Sequence, residues 1–133
     1  MKTVLFICVE NSCRSQMAEG FAKNLGRDII EAHSAGSRPS GKINPEAIKV
    51  MQEVGIDISY QKSKGFEELS IKKFNYVVTM GCEKACPFVP AKQSIGWQIE
   101  DPNGKGLEFF RKVRDDIVEK VKELIKENAP PTL

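Results

Sequence analysis

The stretch VLFICVENSCRSQMAEGFA, residues 4 to 22, decides how this chain folds. Its first half is a run of β-branched and apolar residues that ends at Cys8, and its second half has apolar residues at helical spacing. A strand, a tight loop and a helix N-terminus in this order gather backbone N–H groups at the positive end of a helix. The stretch therefore predicts a binding site for an anion.

Cys8 and Arg14 stand at the two ends of this loop, with five residues between them. The positive field that attracts an oxyanion also favours the thiolate form of a cysteine at the loop entrance. The planar guanidinium of Arg14 can donate two parallel hydrogen bonds to a tetrahedral oxyanion, which a lysine cannot do. The plainer interpretation is a buried strand cysteine followed by a solvated arginine. Because the C-X5-R spacing coincides with a strand-to-helix boundary, we favour a reactive thiol.

The chain has 133 residues, which is enough for one domain with a single core. Its 20 basic and 18 acidic residues are mixed along the sequence, so the net charge of +2 leaves no basic stripe for nucleic acid. No apolar run reaches the roughly 20 residues that span a bilayer, and the N-terminus lacks a signal-peptide cleavage pattern. We therefore expect a cytoplasmic protein without a nucleic-acid or membrane partner. Four cysteines in a reducing compartment are more often reactive or metal-binding than disulfide-bonded.

The rest of the chain alternates strand-like and helix-like segments, which predicts parallel strands joined by right-handed crossovers. The predicted strands are 3–9, 29–35, 76–80 and 95–99, and the predicted helices are 15–25, 45–54, 66–70 and 107–128. The first strand is apolar without alternation, as expected at the centre of a sheet that is covered on both faces. Residues 57–65 are polar and resemble a mobile loop. The predicted fold class is α/β, a four-stranded parallel sheet flanked by helices on both faces.

Three predicted loops follow strands, at residues 8–15, 81–87 and 100–105, and should meet at one edge of the sheet. The third contains Asp101-Pro102, where the proline favours an extended backbone that can hold the Asp101 carboxyl over the anion pocket. An ordinary Asp-Pro turn is the alternative. The second contains Cys82 and Cys86, which one helical turn would place about 6 Å apart, within reach of a disulfide.

The loop residues C-V-E-N-S-C-R-S resemble the phosphate-binding loop of the low-molecular-weight protein tyrosine phosphatases. Within that superfamily, CRSQMAEGFA looks most like the arsenate reductases that are coupled to thioredoxin. The resemblance runs from Thr3 to about the end of the last predicted helix. It implies the phosphotyrosine protein phosphatase I fold in a single domain over residues 1–133. We expect this domain to act as a monomer with no cofactor and no metal.

The resemblance implies that Cys8 attacks arsenate or a phosphate-like oxyanion and that Asp101 is the general acid. Asn11 and Ser12 match the positions that support the loop, since asparagine tolerates a left-handed backbone and a hydroxyl can donate to the Cys8 thiolate. Glu10 stands where the family has a small residue, and we expect its side chain to point to solvent. The oxyanion-binding set that the resemblance implies is Glu10, Asn11, Ser12, Cys13, Arg14 and Ser15.

The resemblance also implies a relay of three thiols. Cys82 would attack Cys8 to release arsenite, and Cys86 would attack Cys82 to leave a disulfide for thioredoxin. The pair is four residues apart here, whereas better-known thioredoxin-coupled members have it six apart, so the motion on oxidation should be smaller. Small buried hydrophobes and zinc ligands are alternatives, and zinc is disfavoured because His33 has no second histidine at ligand spacing. Cys13 takes no step and is expected to be a backup or packing thiol.

Asn11, Glu19 and Ser34 match three of the four potassium ligands that some family members have beside the loop. Lys64 stands in place of the fourth, an acid. We therefore expect no potassium site here, with the Lys64 ammonium group in its place.

Two rival functions stay open. Cys8, Arg14 and Asp101 alone favour a phosphatase that acts on phosphotyrosine. Against it, Asp101-Pro102 continues as Asn-Gly-Lys, without the aromatic residues that phosphatases use beside the site. The second rival is a thiol-based sensor of arsenite or a metal, because three convergent cysteines also suit a soft ion.

Overall fold

The computed structural model describes residues 1–81 and 89–130. Its strands are β1 (Lys2–Cys8), β2 (Ile30–Gly36), β3 (Phe74–Thr79) and β4 (Ala91–Gly96). Its helices are α1 (Arg14–Leu25), α2 (Pro45–Gln52) and α3 (Leu107–Asn128), and a single 3-10 turn spans Phe66–Glu68. The strands form one parallel sheet in the order β2-β1-β3-β4. The predicted α/β fold class is confirmed.

β1 is the central strand, because it pairs with β2 on one side and with β3 on the other. Its side chains alternate between the two faces of the sheet. Val4 and Phe6 enter the main core, whereas Leu5 and Ile7 enter a second apolar cluster on the opposite face. All four side chains are fully or almost fully buried. A strand that is apolar on both faces is what the unbroken hydrophobic run predicts.

The three α-helices pack against the face that carries Val4 and Phe6. α3 buries an apolar stripe at helical spacing, namely Phe110, Val113, Ile117, Val121 and Leu124. Its other side is charged, and no helix in the described part of the chain is long and apolar enough to cross a bilayer. The second face of the sheet is covered by the 3-10 turn and the segment after it, through Phe66 and Leu69. In the described part of the chain, the helical cover predicted for both faces consists of a 3-10 turn on this face and of the three α-helices on the other.

A cluster of ion pairs connects the C-terminal end of α2 with α3. The Glu53 carboxylate accepts hydrogen bonds from Arg111 Nη2 and Arg114 Nη1, each at 2.8 Å, and Arg114 Nη1 also donates to Val50 O at 3.0 Å. These contacts, those of Arg111 above all, lower the pKa of Glu53 to about 2. The cluster is solvent-accessible and adds little stability. It does orient α2, whose N-terminal cap, Asn44, lies beside the anion loop.

β4 is the element whose predicted position is wrong. The sequence pattern places a strand at 95–99, whereas the paired residues are Ala91–Gly96. β4 is an edge strand that is mostly exposed, so its sequence lacks the run of apolar residues by which a strand is recognised. The apolar residues that suggested the strand, Trp97 and Ile99, follow it and are buried in the core. Every other predicted element begins and ends within two residues of its observed bounds.

The segment 57–65 is polar in sequence, yet it is packed against the rest of the molecule. Ile58 is fully buried and Gln61 is buried as well. The main chain of Lys64 accepts a hydrogen bond from Gly36 N at 2.9 Å and donates one to the Asn11 side chain at 2.9 Å. The segment therefore packs against the anion loop and is hydrogen-bonded to it.

Candidate active site

The five residues between β1 and α1 form a tight loop whose carbonyl groups point outward. Four successive carbonyls of the loop accept hydrogen bonds from outside it. Val9 O accepts from Arg38 N at 2.8 Å, and Ser12 O accepts from Asn44 N at 3.0 Å. Between them, Glu10 O accepts from Ser40 N at 3.1 Å and from Ser63 Oγ at 2.8 Å, and Asn11 O accepts from Gln16 Nε2 at 3.1 Å. Because the C=O and N–H groups of a peptide point in opposite directions, the N–H groups turn inward, beside the start of α1. This geometry can hold an oxyanion.

A cavity of about 180 Å³ lies within the loop. Its walls are Cys8, Val9, Glu10, Ser12, Cys13, Arg14, Asp101 and Asn103. Cys8 is 3% exposed and Arg14 is 8% exposed, so both are largely shielded from water. A larger groove of about 460 Å³ beside α1 and β2 contains no cysteine, so size alone does not identify the site. The cavity brings together the predicted Cys8, Arg14 and Asp101.

The hydroxyl that meets Cys8 is that of Ser15, not of Ser12 as the resemblance implied. Ser15 Oγ lies 2.8 Å from Cys8 Sγ, and Asn11 Nδ2 donates to the same Ser15 oxygen at 2.7 Å. The Ser15 hydroxyl hydrogen is therefore free to donate to the Cys8 sulfur, which stabilises a thiolate. Ser12 Oγ instead lies 3.7 Å from Cys13 Sγ. Asn11 has a φ of 52°, the left-handed conformation predicted for it.

Gly36, at the end of β2, lets the loop approach the sheet. It pairs with Cys8 in the strand register. A Cβ atom on residue 36 would lie 2.5 Å from Val9 O and 2.9 Å from Asn11 N, closer than any side chain tolerates. This role of Gly36 was not predicted from the sequence. The signal that could have indicated it is a glycine directly after the predicted strand 29–35.

The guanidinium of Arg14 is held from two directions. Nη1 donates to Ile99 O at 3.0 Å, and Nη2 lies 3.9 Å from Asp101 Oδ2. The Asp101 side chain is 56% exposed and accepts a hydrogen bond from Asn103 N at 3.1 Å. Its carboxyl group thus borders the cavity on the solvent side, where it can exchange protons with water and with a bound group.

The absence of a side chain at Gly81 leaves room for the Arg14 guanidinium, and this supports a prediction. Its φ is +90°, and a Cβ atom there would collide with Arg14 Nη1. Gly81→Ala should displace the guanidinium from Ile99 O and weaken phosphate binding by about tenfold or more, since a charge-assisted contact is lost. The inhibition constant for phosphate measures this effect.

Gly55→Ala is the matched control for that measurement. Gly55 has a φ of +80°, but nothing lies within 4 Å of the place that a Cβ atom would take there, so the backbone strain occurs without a collision. The control should lose about 1 kcal/mol of stability and keep its phosphate affinity. Equal phosphate affinity in both variants would contradict the role assigned to Gly81.

Cys13 is the N-cap residue of α1 and is 4% exposed. Burial, which penalises the thiolate, raises the pKa of Cys13 to about 12, and the hydrogen bond with Ser12 opposes this only in part. A thiol with this pKa is protonated at neutral pH and is a poor nucleophile. Of the two expectations for Cys13, a packing thiol therefore fits better than a backup thiol.

Beside the loop, a buried carboxylate is paired with two lysines. Glu19, 4% exposed, accepts a short hydrogen bond from Ser34, pairs with Lys23 Nζ at 2.5 Å and has Lys64 Nζ at 3.9 Å. Burial lowers the pKa of Lys64, and the Glu19 carboxylate opposes this shift. The Lys64 ammonium group thus lies near Glu19, one of the three matched potassium-ligand positions, whereas the pairing of Lys23 with Glu19 was not predicted. Its spacing of four residues from Glu19 on α1 was the available signal.

Glu10 is exposed, as expected, although it forms part of the cavity rim. Cys82 and Cys86 lie outside the described residues, so the predicted pairing of these two cysteines has no structural description here. The zinc alternative, which depends on them, likewise has none. The last described residue before them, Gly81, lies beside the Arg14 guanidinium.

The fold and the loop define the class: an α/β protein with a C-X5-R oxyanion loop between the central strand and the first helix. The family model described as low molecular weight phosphotyrosine protein phosphatase matches residues 3–129. The chain belongs to this family.

Proteins similar to this chain include several arsenate reductases. The "Glutaredoxin arsenate reductase" of Synechocystis sp. is 47% identical over 128 residues, which cover 94% of this chain and 97% of that protein. The "Arsenate reductase" of Staphylococcus aureus strain Newman is 47% identical over 120 residues, with 87% and 90% covered. A solved structure of an arsenate reductase in the phosphate binding state matches with a TM-score of 0.87 at 43% identity, covering 97% of this chain and 100% of that one.

Proposed function

We propose that this protein reduces arsenate to arsenite. The observation that carries the proposal is the buried Cys8 sulfur beside the Ser15 hydroxyl, in a cavity of about 180 Å³ that also contains Arg14. Arsenate is a tetrahedral oxyanion of the kind that inward N–H groups and a guanidinium bind. The similarity to arsenate reductases over almost the whole chain supports the same activity.

In the first step of the proposed reaction, the Cys8 thiolate attacks arsenic. An arsenic–sulfur bond forms and one oxygen leaves as water, for which Asp101 supplies a proton. Arg14 and the loop N–H groups hold the remaining oxygens while charge moves onto them. Ser15 donates a hydrogen bond to the sulfur that makes the attack.

In the second step, the Cys82 thiolate attacks the Cys8 sulfur. A Cys8–Cys82 disulfide forms, and the electron pair of the arsenic–sulfur bond goes to arsenic, which leaves as arsenite. The Cys86 thiolate then attacks Cys82, releasing the Cys8 thiolate and leaving a Cys82–Cys86 disulfide. Two thiols have supplied the two electrons that arsenic gained, so a dithiol donor is needed to restore the enzyme.

We propose thioredoxin as this donor, acting in the reducing environment of the cytoplasm, where free thiols persist. A closely spaced pair of cysteines is the natural substrate of another dithiol protein. Glutaredoxin with glutathione is the alternative, because the Synechocystis relative carries that reductant in its name. The two donors differ in whether glutathione is required, which makes them separable by assay.

The test of the proposed function is arsenate-dependent oxidation of NADPH by the purified chain. One arm contains thioredoxin and thioredoxin reductase, and the other contains glutathione, glutaredoxin and glutathione reductase. Turnover in the first arm supports the full proposal, and turnover only in the second corrects the donor. Hydrolysis of an aryl phosphate without arsenate reduction would favour the phosphatase, and stoichiometric arsenite binding without turnover would favour the sensor.

A further inference from the structure

Two side-chain amides lie behind the anion loop and have no role in the chemistry proposed above. Gln16, in the first turn of α1, is fully buried, and Gln61, in the segment 57–65, is 8% exposed. Burial of an amide is unfavourable unless its hydrogen bonds are made. The bonds that these two amides make lead to the loop.

The orientation of both amides follows from their partners. Gln16 Nε2 faces Asn11 O at 3.1 Å, Asn11 Oδ1 at 2.8 Å and Lys62 O at 2.9 Å. Two of these are main-chain carbonyls, which only accept, so the NH2 group of Gln16 must face them. Its Oε1 then accepts from Gln61 Nε2 at 2.7 Å, and the same nitrogen donates to Gln16 O at 3.1 Å.

The amide of Asn11 is oriented by the same network. Its Oδ1 accepts from Gln16 Nε2 and from the main-chain N–H of Lys64, which can only donate. Asn11 Nδ2 is thereby directed at Ser15 Oγ, and the Ser15 hydroxyl hydrogen is left for Cys8. An ordered series of hydrogen bonds thus connects Gln61, Gln16, Asn11, Ser15 and Cys8.

Gln61 contributes to this series through its NH2 group alone. Among the described residues, Gln61 Oε1 has no hydrogen-bond partner although it is buried. A side chain kept only for packing would avoid a buried oxygen without a protein partner. An amide is needed here because the Oε1 atom of Gln16 must be given a donor.

We propose that Gln16 and Gln61 are positioning residues for the anion loop. They hold Asn11 in its left-handed conformation and, through Asn11 and Ser15, keep a hydrogen-bond donor on the Cys8 sulfur. Without the NH2 group of Gln16, Asn11 O and Asn11 Oδ1 each lose a donor, and the peptide after Asn11 is free to rotate its N–H group out of the cavity. The inference rests on the proposed function only in taking Cys8 as the reacting thiol.

The test uses Gln16→Met and Gln61→Met, which keep a similar side-chain volume but remove the donors. Two properties are measured, the rate of Cys8 alkylation by iodoacetamide at neutral pH and the protection of Cys8 by inorganic phosphate. Mass spectrometry of the tryptic peptide 3–14 locates the modification at Cys8 or at Cys13. Both the alkylation rate and the phosphate affinity should fall by about tenfold in Gln16→Met and by about threefold in Gln61→Met, since one or more net hydrogen bonds are lost.

Gln52→Met is the matched control, because Gln52 is exposed at the end of α2. It should leave both properties unchanged. If Gln16→Met and Gln61→Met lower the unfolding midpoint but keep the wild-type alkylation rate and phosphate protection, the residues are merely structural and the proposal is overturned. Gln61→Met decides the outcome by itself if Gln16→Met does not fold. Because neither measurement uses arsenate, failure of the proposed reductase activity is seen separately in the turnover assay.

Discussion

Cys8→Ser is expected to lower arsenate reduction and any aryl phosphate hydrolysis by roughly a thousandfold or more, the scale on which loss of a nucleophile acts. The reason is the difference between a thiol and an alcohol. The Ser15 hydroxyl, 2.8 Å from the sulfur, can stabilise a thiolate, but it cannot bring the far higher pKa of an alcohol into the neutral range. Initial rates with arsenate and with an aryl phosphate measure the effect.

The loop of the Cys8→Ser variant should still bind oxyanion. The outward carbonyls of the loop and the Arg14 contacts do not involve the sulfur, so phosphate should bind with nearly wild-type affinity. Isothermal titration with phosphate is the control for a folded loop. Activity of the variant toward either substrate, with phosphate binding intact, would remove Cys8 from the role proposed for it.

Cys82→Ser and Cys86→Ser should each stop repeated arsenate turnover with the dithiol donor, while aryl phosphate hydrolysis stays within about twofold of wild type. The proposed hydrolysis needs only the cavity residues Cys8, Arg14 and Asp101, and the relay residues add electrons, not binding contacts. Steady-state assays with the two substrates separate these requirements. A parallel loss of hydrolysis would mean that the segment with the two cysteines shapes the cavity itself.

The two variants should stop at different stages of the relay. Cys82→Ser should form no disulfide with Cys8, whereas Cys86→Ser should accumulate the Cys8–Cys82 disulfide after one turnover, because no thiolate remains to resolve it. Mass spectrometry of peptides from arsenate-treated protein, alkylated without reduction, detects the bond. Normal turnover by Cys86→Ser would overturn the relay. An external thiol would then be the resolving group, since Cys13 is buried with a pKa of about 12.

The sequence alone determined the parts of this protein whose interactions are local. The run before Cys8 is apolar on consecutive residues, and a strand buried on both faces follows from that composition wherever its neighbours lie. The helix Leu107–Asn128 was predicted with both ends correct, because its apolar stripe keeps one period and Pro130 ends it. The resemblance assigned Asn11 to a loop-supporting position, where asparagine tolerates a left-handed backbone, and its φ of 52° agrees with this.

Tertiary structure decided the position of β4 and the packing of the segment 57–65. An edge strand buries few side chains, so β4 has no periodic apolar signal, and only its pairing with β3 defines it. The polar residues of 57–65 suggested a mobile loop. They are instead hydrogen-bonded to the anion loop and to Gln16 of α1, because buried polar groups find their partners in distant parts of the chain.

The finer arrangement of the site was also decided in three dimensions. The spacing of residues in the loop does not tell whether Ser12 or Ser15 faces Cys8. That choice depends on how the loop turns, and the loop is held by donors as remote as Arg38, Asn44 and the main chain of Lys64. The close approach of Gly81 to the Arg14 guanidinium likewise arises only when β3 pairs with β1 in the folded sheet. Local patterns record periodicity and backbone preference, whereas the direction of a buried hydrogen bond is set by whichever donors the folded chain brings to it.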